Sequence, residues 1–264
     1  MQDSQPNKNE NQVTKDDCFA AALRGEVPLR VGDVIQRSWD ITLRALPIML
    51  VALALMLVVN YVIGEITAVQ FPVDENNPNL ANVAWQTLIG MVIMAPFNAL
   101  VQWLGILNAR DVKPSFANFS HAFRSAPQVI GIQVVMTVLI MVASTVFFLI
   151  FGFSSVFLAL VVVTAAYLQL SFTLAVPLVL DRGLRVQRAI LASVMILSKR
   201  IFAMLGIYIV MFFILFISAL PLLLGLIFTL PMTFNVIGVI YNRMIGLPSS
   251  EQPLPLATDD QGGV

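Results

Sequence analysis

The chain has 264 residues, no formal net charge, 58% hydrophobic residues, only 11% charged ones and a mean hydropathy of +0.87. A water-soluble domain keeps about a quarter of its residues charged, so this composition excludes an ordinary soluble globule and makes lipid the expected surroundings. The single cysteine, Cys18, excludes an intrachain disulfide framework and a zinc-type cluster.

Residues 1–25 are polar and short of apolar side chains, and the expectation is a disordered cytoplasmic tail. No apolar stretch follows Met1, and Gln2 stands where myristoylation needs glycine, so neither a secretory signal nor a lipid anchor is expected. Cys18 in this tail reads as an ordinary reduced thiol.

A helix needs about 20 apolar residues to cross some 30 Å of hydrocarbon. Ala45 to Gly64 carries no charge and predicts one span; the apolar part of a second run, from about Val83 to Leu107, predicts another. Ala126 to Leu180 is twice too long for one crossing and predicts a helical hairpin turning at Gly152-Phe153-Ser154-Ser155. Ile201 to Asn242 predicts a third hairpin, broken around Ala219-Leu220-Pro221 by the proline. The expected fold is therefore an all-α membrane protein of six transmembrane helices arranged as three hairpins.

This count puts every Lys and Arg on one side of the membrane, while the other side receives Glu65, Asp74 and Glu75. Basic residues are retained in the cytoplasm, so both termini are expected there.

Each hairpin is preceded by a candidate amphipathic cytoplasmic helix. In residues 29–44, Val31, Val34, Ile35 and Trp39 recur at helical spacing. Residues 184–199 match that segment: Leu184, Arg185, Val186, Ile190, Ser193 and Ile196 fall on Leu29, Arg30, Val31, Ile35, Ser38 and Ile41, and Lys199 on Arg44. Residues 112–125 are a weaker member, with Phe116, Phe119 and Phe123 on one face. The pattern predicts three repeat units, about 29–109, 112–180 and 184–246, inside a membrane domain of residues 26–246. The amphipathic helices suit the headgroup boundary and would equally serve as packing elements over the ends of the spans.

The second helix of each hairpin carries a proline, Pro96, Pro177 or Pro231, expected to make a packed kink, with a transport gate as the alternative. Its cytoplasmic exit pairs a polar residue with an arginine: Asn108 with Arg110, Asp181 with Arg182, Asn242 with Arg243. Arg30, Arg44, Arg110, Arg182, Arg185 and Arg243 are expected to anchor in lipid headgroups.

No ionisable side chain falls within the expected span interiors, whereas pumps and intramembrane enzymes usually bury one. Amides and hydroxyls remain, namely Asn60, Gln86, Asn98, Gln102, Gln133, Thr145, Gln169 and Asn235, and interhelical hydrogen bonding is the simpler role for each. The functional alternative is a central polar cluster of Asn98, Gln169 and Asn235, one from each even-numbered span. His121 reads as a surface residue, and no catalytic triad or phosphate loop can be assembled around it. No enzyme activity, metal or cofactor is expected, nor any binding of nucleic acid.

The stretch Gly225-Leu226, Leu230-Pro231, Tyr241-Asn242-Arg243 and Gly246, with Leu174-Ala175-Val176-Pro177-Leu178-Val179-Leu180-Asp181-Arg182-Gly183-Leu184, resembles the YciC-like bacterial inner-membrane proteins. It is similar as well to the membrane domain fused to some bacterial glycerophosphodiester phosphodiesterases. The resemblance spans about residues 29–246 and implies a six-span inner-membrane protein without catalytic residues. Three roles follow as expectations: organising lipid or a membrane complex, carrying a neutral or amphiphilic solute, or anchoring a separately encoded enzyme. Residues 247–264 are expected to form a second disordered tail.

Overall fold

The computed structural model describes residues 19–74, 79–114, 116–220 and 223–245. The calls on Cys18, Pro221 and Gly246, and nearly all of those on the two tails, lie outside the described residues. Within them the chain is all-helical: α1 (residues 19–24), α2 Val31–Gln70, α3 Leu80–Ala109, α4 Phe116–Arg124, α5 Ala126–Phe151, α6 Ser155–Ser171, α7 Ala175–Arg182, α8 Val186–Lys199, α9 Ile201–Ala219 and α10 Leu226–Met244.

Five helical stretches among the described residues are long and apolar enough to cross a membrane: α2, α3, α5, α6 with α7, and α9. The protein thus has the build of a multi-pass helical membrane protein. Helix α10 has 19 residues as α9 does, but Asn235, Asn242 and Arg243 lower its hydropathy.

Several boundaries fall where local chemistry puts them. Helix α5 ends at Gly152, whose φ of 59° few other residues adopt readily. Ser154 then caps α6, its side chain accepting the Phe157 N–H at 3.2 Å. The expected turn at 152–155 is therefore present. Helix α2 departs from the simpler picture of an interfacial helix joined to a span. It runs unbroken for 40 residues through both, and Pro47 sits inside it. Proline removes only its own hydrogen bond, here to the Leu43 carbonyl, and the helix continues on either side.

The fourth span is broken instead. Pro177 has no N–H to offer the Thr173 carbonyl, and α6 stops at Ser171 before α7 restarts at Ala175. The Ser193 hydroxyl of α8 repairs the gap, donating to the Ser171 carbonyl at 2.6 Å and accepting the Leu174 N–H at 3.2 Å. Buried backbone groups need such partners.

Helix α3 is the hub, packing mainly against α2 and α10. Its contact with α10 is backbone on backbone. A Cβ on Gly238 would lie 2.2 Å from the Gly105 carbonyl oxygen, and one on Gly105 would lie 2.4 Å from the Phe234 oxygen. Small residues permit such an approach where lipid supplies no hydrophobic driving force.

The core is concentrated at the end of the bundle that carries the basic residues. There α2 buries Val34, Ser38, Ile41, Thr42 and Met49, α3 buries most of 99–109, and α8 buries Ala189, Ala192, Ser193, Ile196 and Leu197. The matched positions Ser38 and Ser193, like Ile41 and Ile196, are fully buried. Val31 packs against Gly206 of α9 and its counterpart Val186 against Gly131 of α5. Towards the opposite end, α5, α6 and α9 present long apolar faces outward, Val138, Leu149, Val162 and Phe216 among them.

Candidate functional site

The polar groups of the bundle meet in two connected layers at its charged end, built mainly from the exits of α3, α7 and α10. Arg110 caps the end of α3. Its Nη1 and Nη2 donate to the two carboxylate oxygens of Asp181 at 2.7 and 2.8 Å, and its Nε donates to Asn242 Oδ1 at 2.9 Å. Tyr241 OH adds a third donor to Asp181 at 2.7 Å, and Asn242 Nδ2 donates to the Ile106 carbonyl at 3.2 Å. The guanidinium also lies 6.0 Å from the Tyr241 ring centroid.

This is a bidentate, largely buried pair: the side chains of Arg110 and Asp181 are 23% and 7% exposed. Burial works against the Arg110 charge, but the hydrogen bonds and field of Asp181 outweigh it and raise its pKa above the ordinary arginine value. Arg110 is therefore a fixed cation, suited to fastening three helix ends and unsuited to giving up a proton.

One layer deeper, Asn235 of α10 is completely buried. Its Nδ2 donates to Thr42 Oγ1 of α2 at 2.9 Å, and its Oδ1 accepts from Asn108 Nδ2 of α3 at 3.1 Å. Thr42 in turn donates to the Ser38 carbonyl at 2.7 Å. One amide thus ties the three central helices together.

These partners differ from the expected cluster of Asn98, Gln169 and Asn235. Gln169 is exposed, and Asn98 is half-buried ten residues before Asn108 on α3, about 15 Å along the helix axis. The structure does not bring the three together. Gln86, another of the expected amides, works at the opposite end: its Nε2 donates to the Phe71 carbonyl, and Asn82 Nδ2, not singled out from the sequence, donates to the Pro72 carbonyl, each at 2.7 Å.

The six expected headgroup anchors also divide. Arg30, Arg44 and Arg185 are exposed. Arg110 stands at the centre of the junction, because a carboxylate from another helix exit lies within its reach. Arg243 is half-buried and pairs with Asp33 of α2 at 3.3 Å. Half-buried Arg182 lies 4.7 Å from the Phe19 ring centroid, and its Nη2 donates to the Ile245 carbonyl at 3.3 Å. His121 is exposed as expected, yet its Nε2 lies 2.7 Å from the Leu180 carbonyl and its ring 5.0 Å from that of Trp103.

A second charged feature flanks the junction. Helix α3 closes in a Schellman arrangement, with Val112 N–H on the Leu107 carbonyl at 3.0 Å and Asp111 N–H on the Asn108 carbonyl at 3.1 Å. Asp111 occupies the left-handed position at φ 56°, where glycine is usual. Its carboxylate accepts from Arg37 and from Arg44 of α2, the latter at 3.0 Å. Thr42, Asp111, Ser193 and Tyr241 were not legible as site residues. The visible signal was the polar–arginine pair recurring at three exits, which proves to be one junction.

Among the described residues no group of three or more His, Cys, Asp or Glu side chains could hold a metal ion. No family model matches the chain, and no curated protein and no solved structure matches it either.

Proposed function

We propose that the chain is a six-span bacterial inner-membrane protein that organises lipid or a membrane complex and catalyses no reaction. In this reading α10 is the sixth span and the charged end with both termini faces the cytoplasm. Its three hairpins then follow three amphipathic segments, and six spans are also what the resemblance to the YciC-like proteins implies. The segregation of every Lys and Arg supports the orientation. The matched burial of Ser38 and Ser193, and the paired contacts of Val31 and Val186 with span glycines, support the repeat.

The observation that carries the functional reading is the use made of Asn235. The amide best placed to bind a solute inside the bundle is fully buried and spends both ends of its side chain on Thr42 and Asn108. The exposed pairs Trp39 with Leu43 on α2 and Leu191 with Met195 on α8 supply apolar side chains at headgroup depth.

Reconstituted in vesicles, the protein is expected to restrict the motion of spin-labelled lipid while leaving the flux of neutral and amphiphilic solutes at the level of empty vesicles. Replacing Trp39 and Leu43 with serine should release the lipid. Solute flux that Asn235→Leu abolishes would instead establish a carrier.

A further inference from the structure

We infer that the cleft between α2 and the turn after α3 is a binding site for one anionic phospholipid, an assignment that rests on the membrane reading above. The cleft has a volume of about 300 Å³, and Arg44, Lys113, Asp111, Asn108, Ala45 and Ile48 are among its lining residues. Its chemistry divides in two. One wall is ionic and the other apolar, and the boundary falls at Arg44, the last charged residue before the uncharged run of Ala45 to Gly64. That is the depth of lipid phosphates.

The ionic wall favours an anion. Asp111 is shared between Arg37 and Arg44, and Lys113 stands beside them, so three cations face one carboxylate, an excess of two positive charges. Arg44 meets Asp111 through Nη2. Its remaining N–H groups point away from that carboxylate oxygen and can donate singly to a non-bridging oxygen of a phosphodiester, with the Lys113 ammonium as the second donor. Asp111 has the effect of holding that guanidinium in place, which gives its left-handed backbone a purpose beyond ending α3.

The apolar wall selects a lipid over a free anion. From Ile48 a stripe continues along α2 through Val51, Leu55, Val58 and Val62, at alternating spacings of three and four residues. Beyond half-buried Ile48 every member is exposed. The stripe is about 21 Å long at 1.5 Å per residue, enough to carry an acyl chain across one leaflet of about 15 Å. A phosphate at Arg44 and Lys113 would therefore hang its chain along a ready track.

The test titrates full-length protein in mild detergent with phosphatidylglycerol or phosphatidylcholine, reading bound lipid by native mass spectrometry and thermal stability in parallel. Phosphatidylglycerol is expected to remain bound and to raise the melting temperature; phosphatidylcholine is not. The Arg44→Gln and Lys113→Gln double variant should lose about twenty-five-fold in affinity, about fivefold for each basic side chain. Lys113→Gln alone, a change in an exposed turn that leaves the helices intact, should lose the single fivefold. Arg124→Gln with Arg188→Gln, exposed cations outside the cleft, should change nothing.

Undiminished phosphatidylglycerol binding in both cleft variants would overturn the site. Equal loss in the Arg124 and Arg188 variant would reduce it to diffuse surface charge. Inorganic phosphate giving the same stabilisation would make it a free-anion site. Failure of the membrane reading is distinguishable from all three, because the protein would then be recovered from the soluble fraction without detergent.

Discussion

Replacing Gly238 with alanine tests whether the α3–α10 crossing holds the bundle together. In an open helix the change should help, since alanine forms helix better than glycine by roughly 0.5–1 kcal/mol. Here the new Cβ would stand 2.2 Å from the Gly105 oxygen, 2.4 Å from its carbonyl carbon and 2.8 Å from the Ile106 nitrogen. All three are backbone atoms, with no rotamer to turn aside. Restoring an ordinary contact of 3.4 Å requires the helices to part by 3.4 − 2.2 = 1.2 Å at that point. A gap of only about 1 Å already forfeits up to about half of the dispersion energy across an interface. The Asn108–Asn235 bond, already 3.1 Å long, would stretch beyond useful length. Overpacking typically costs about 1–3 kcal/mol, and a lost interhelical hydrogen bond about 0.6, so the net effect is destabilisation by about 1–3 kcal/mol. Gly64 and Gly90 are internal controls, because a Cβ at either meets nothing within 4 Å. Thermal unfolding of the purified variants in detergent, followed by loss of the monodisperse peak, gives the comparison. A Gly238→Ala protein melting at or above wild type would refute the crossing, as would equal losses at Gly64 and Gly90.

Asp181→Asn should destabilise towards the lower end of the about 3–5 kcal/mol typical of a broken buried pair, given the partial exposure of Arg110. In a double-mutant cycle with Arg110→Gln the two losses should be strongly non-additive; simple additivity would sink the junction. Tyr241→Phe removes one charge-assisted hydrogen bond to Asp181 and should cost about 1.5–3 kcal/mol. Ser193→Ala should cost about 1–3 kcal/mol and increase amide exchange at Leu174, since it strips the repair from the α6–α7 break. Ser38→Ala, whose hydroxyl only back-bonds to the Val34 carbonyl of its own helix, should be milder, and a reversed order would refute the distinction.

Much of the architecture was legible because it is a local property. Whether a stretch suits lipid depends on its own side chains, so the runs beginning at Ala45, Val83, Ala126 and Ile201 marked apolar helices without knowledge of their neighbours. The turn at Gly152 and Ser154 was legible for the same reason, since a positive φ and a serine cap act within a few residues. Continuity was harder. Pro47 lies inside α2 while Pro177 follows a break, although both prolines remove the same hydrogen bond. What differs is the surroundings. Ser193 of another helix stands ready to satisfy the backbone at 171–174.

By itself the sequence determined that the chain is helical, that its long helices suit a membrane, and that each of three expected helix exits carries a polar residue with an arginine. Only the tertiary structure decided what those residues do. Arg110 meets Asp181 across 71 positions of chain and Asn242 across 132, and Asn235 meets Thr42 across 193. A charged side chain at a helix end reaches for whatever counter-charge is nearest, lipid phosphate or carboxylate. Which one is near depends on how closely the helices pack, and here two glycines without side chains set that distance.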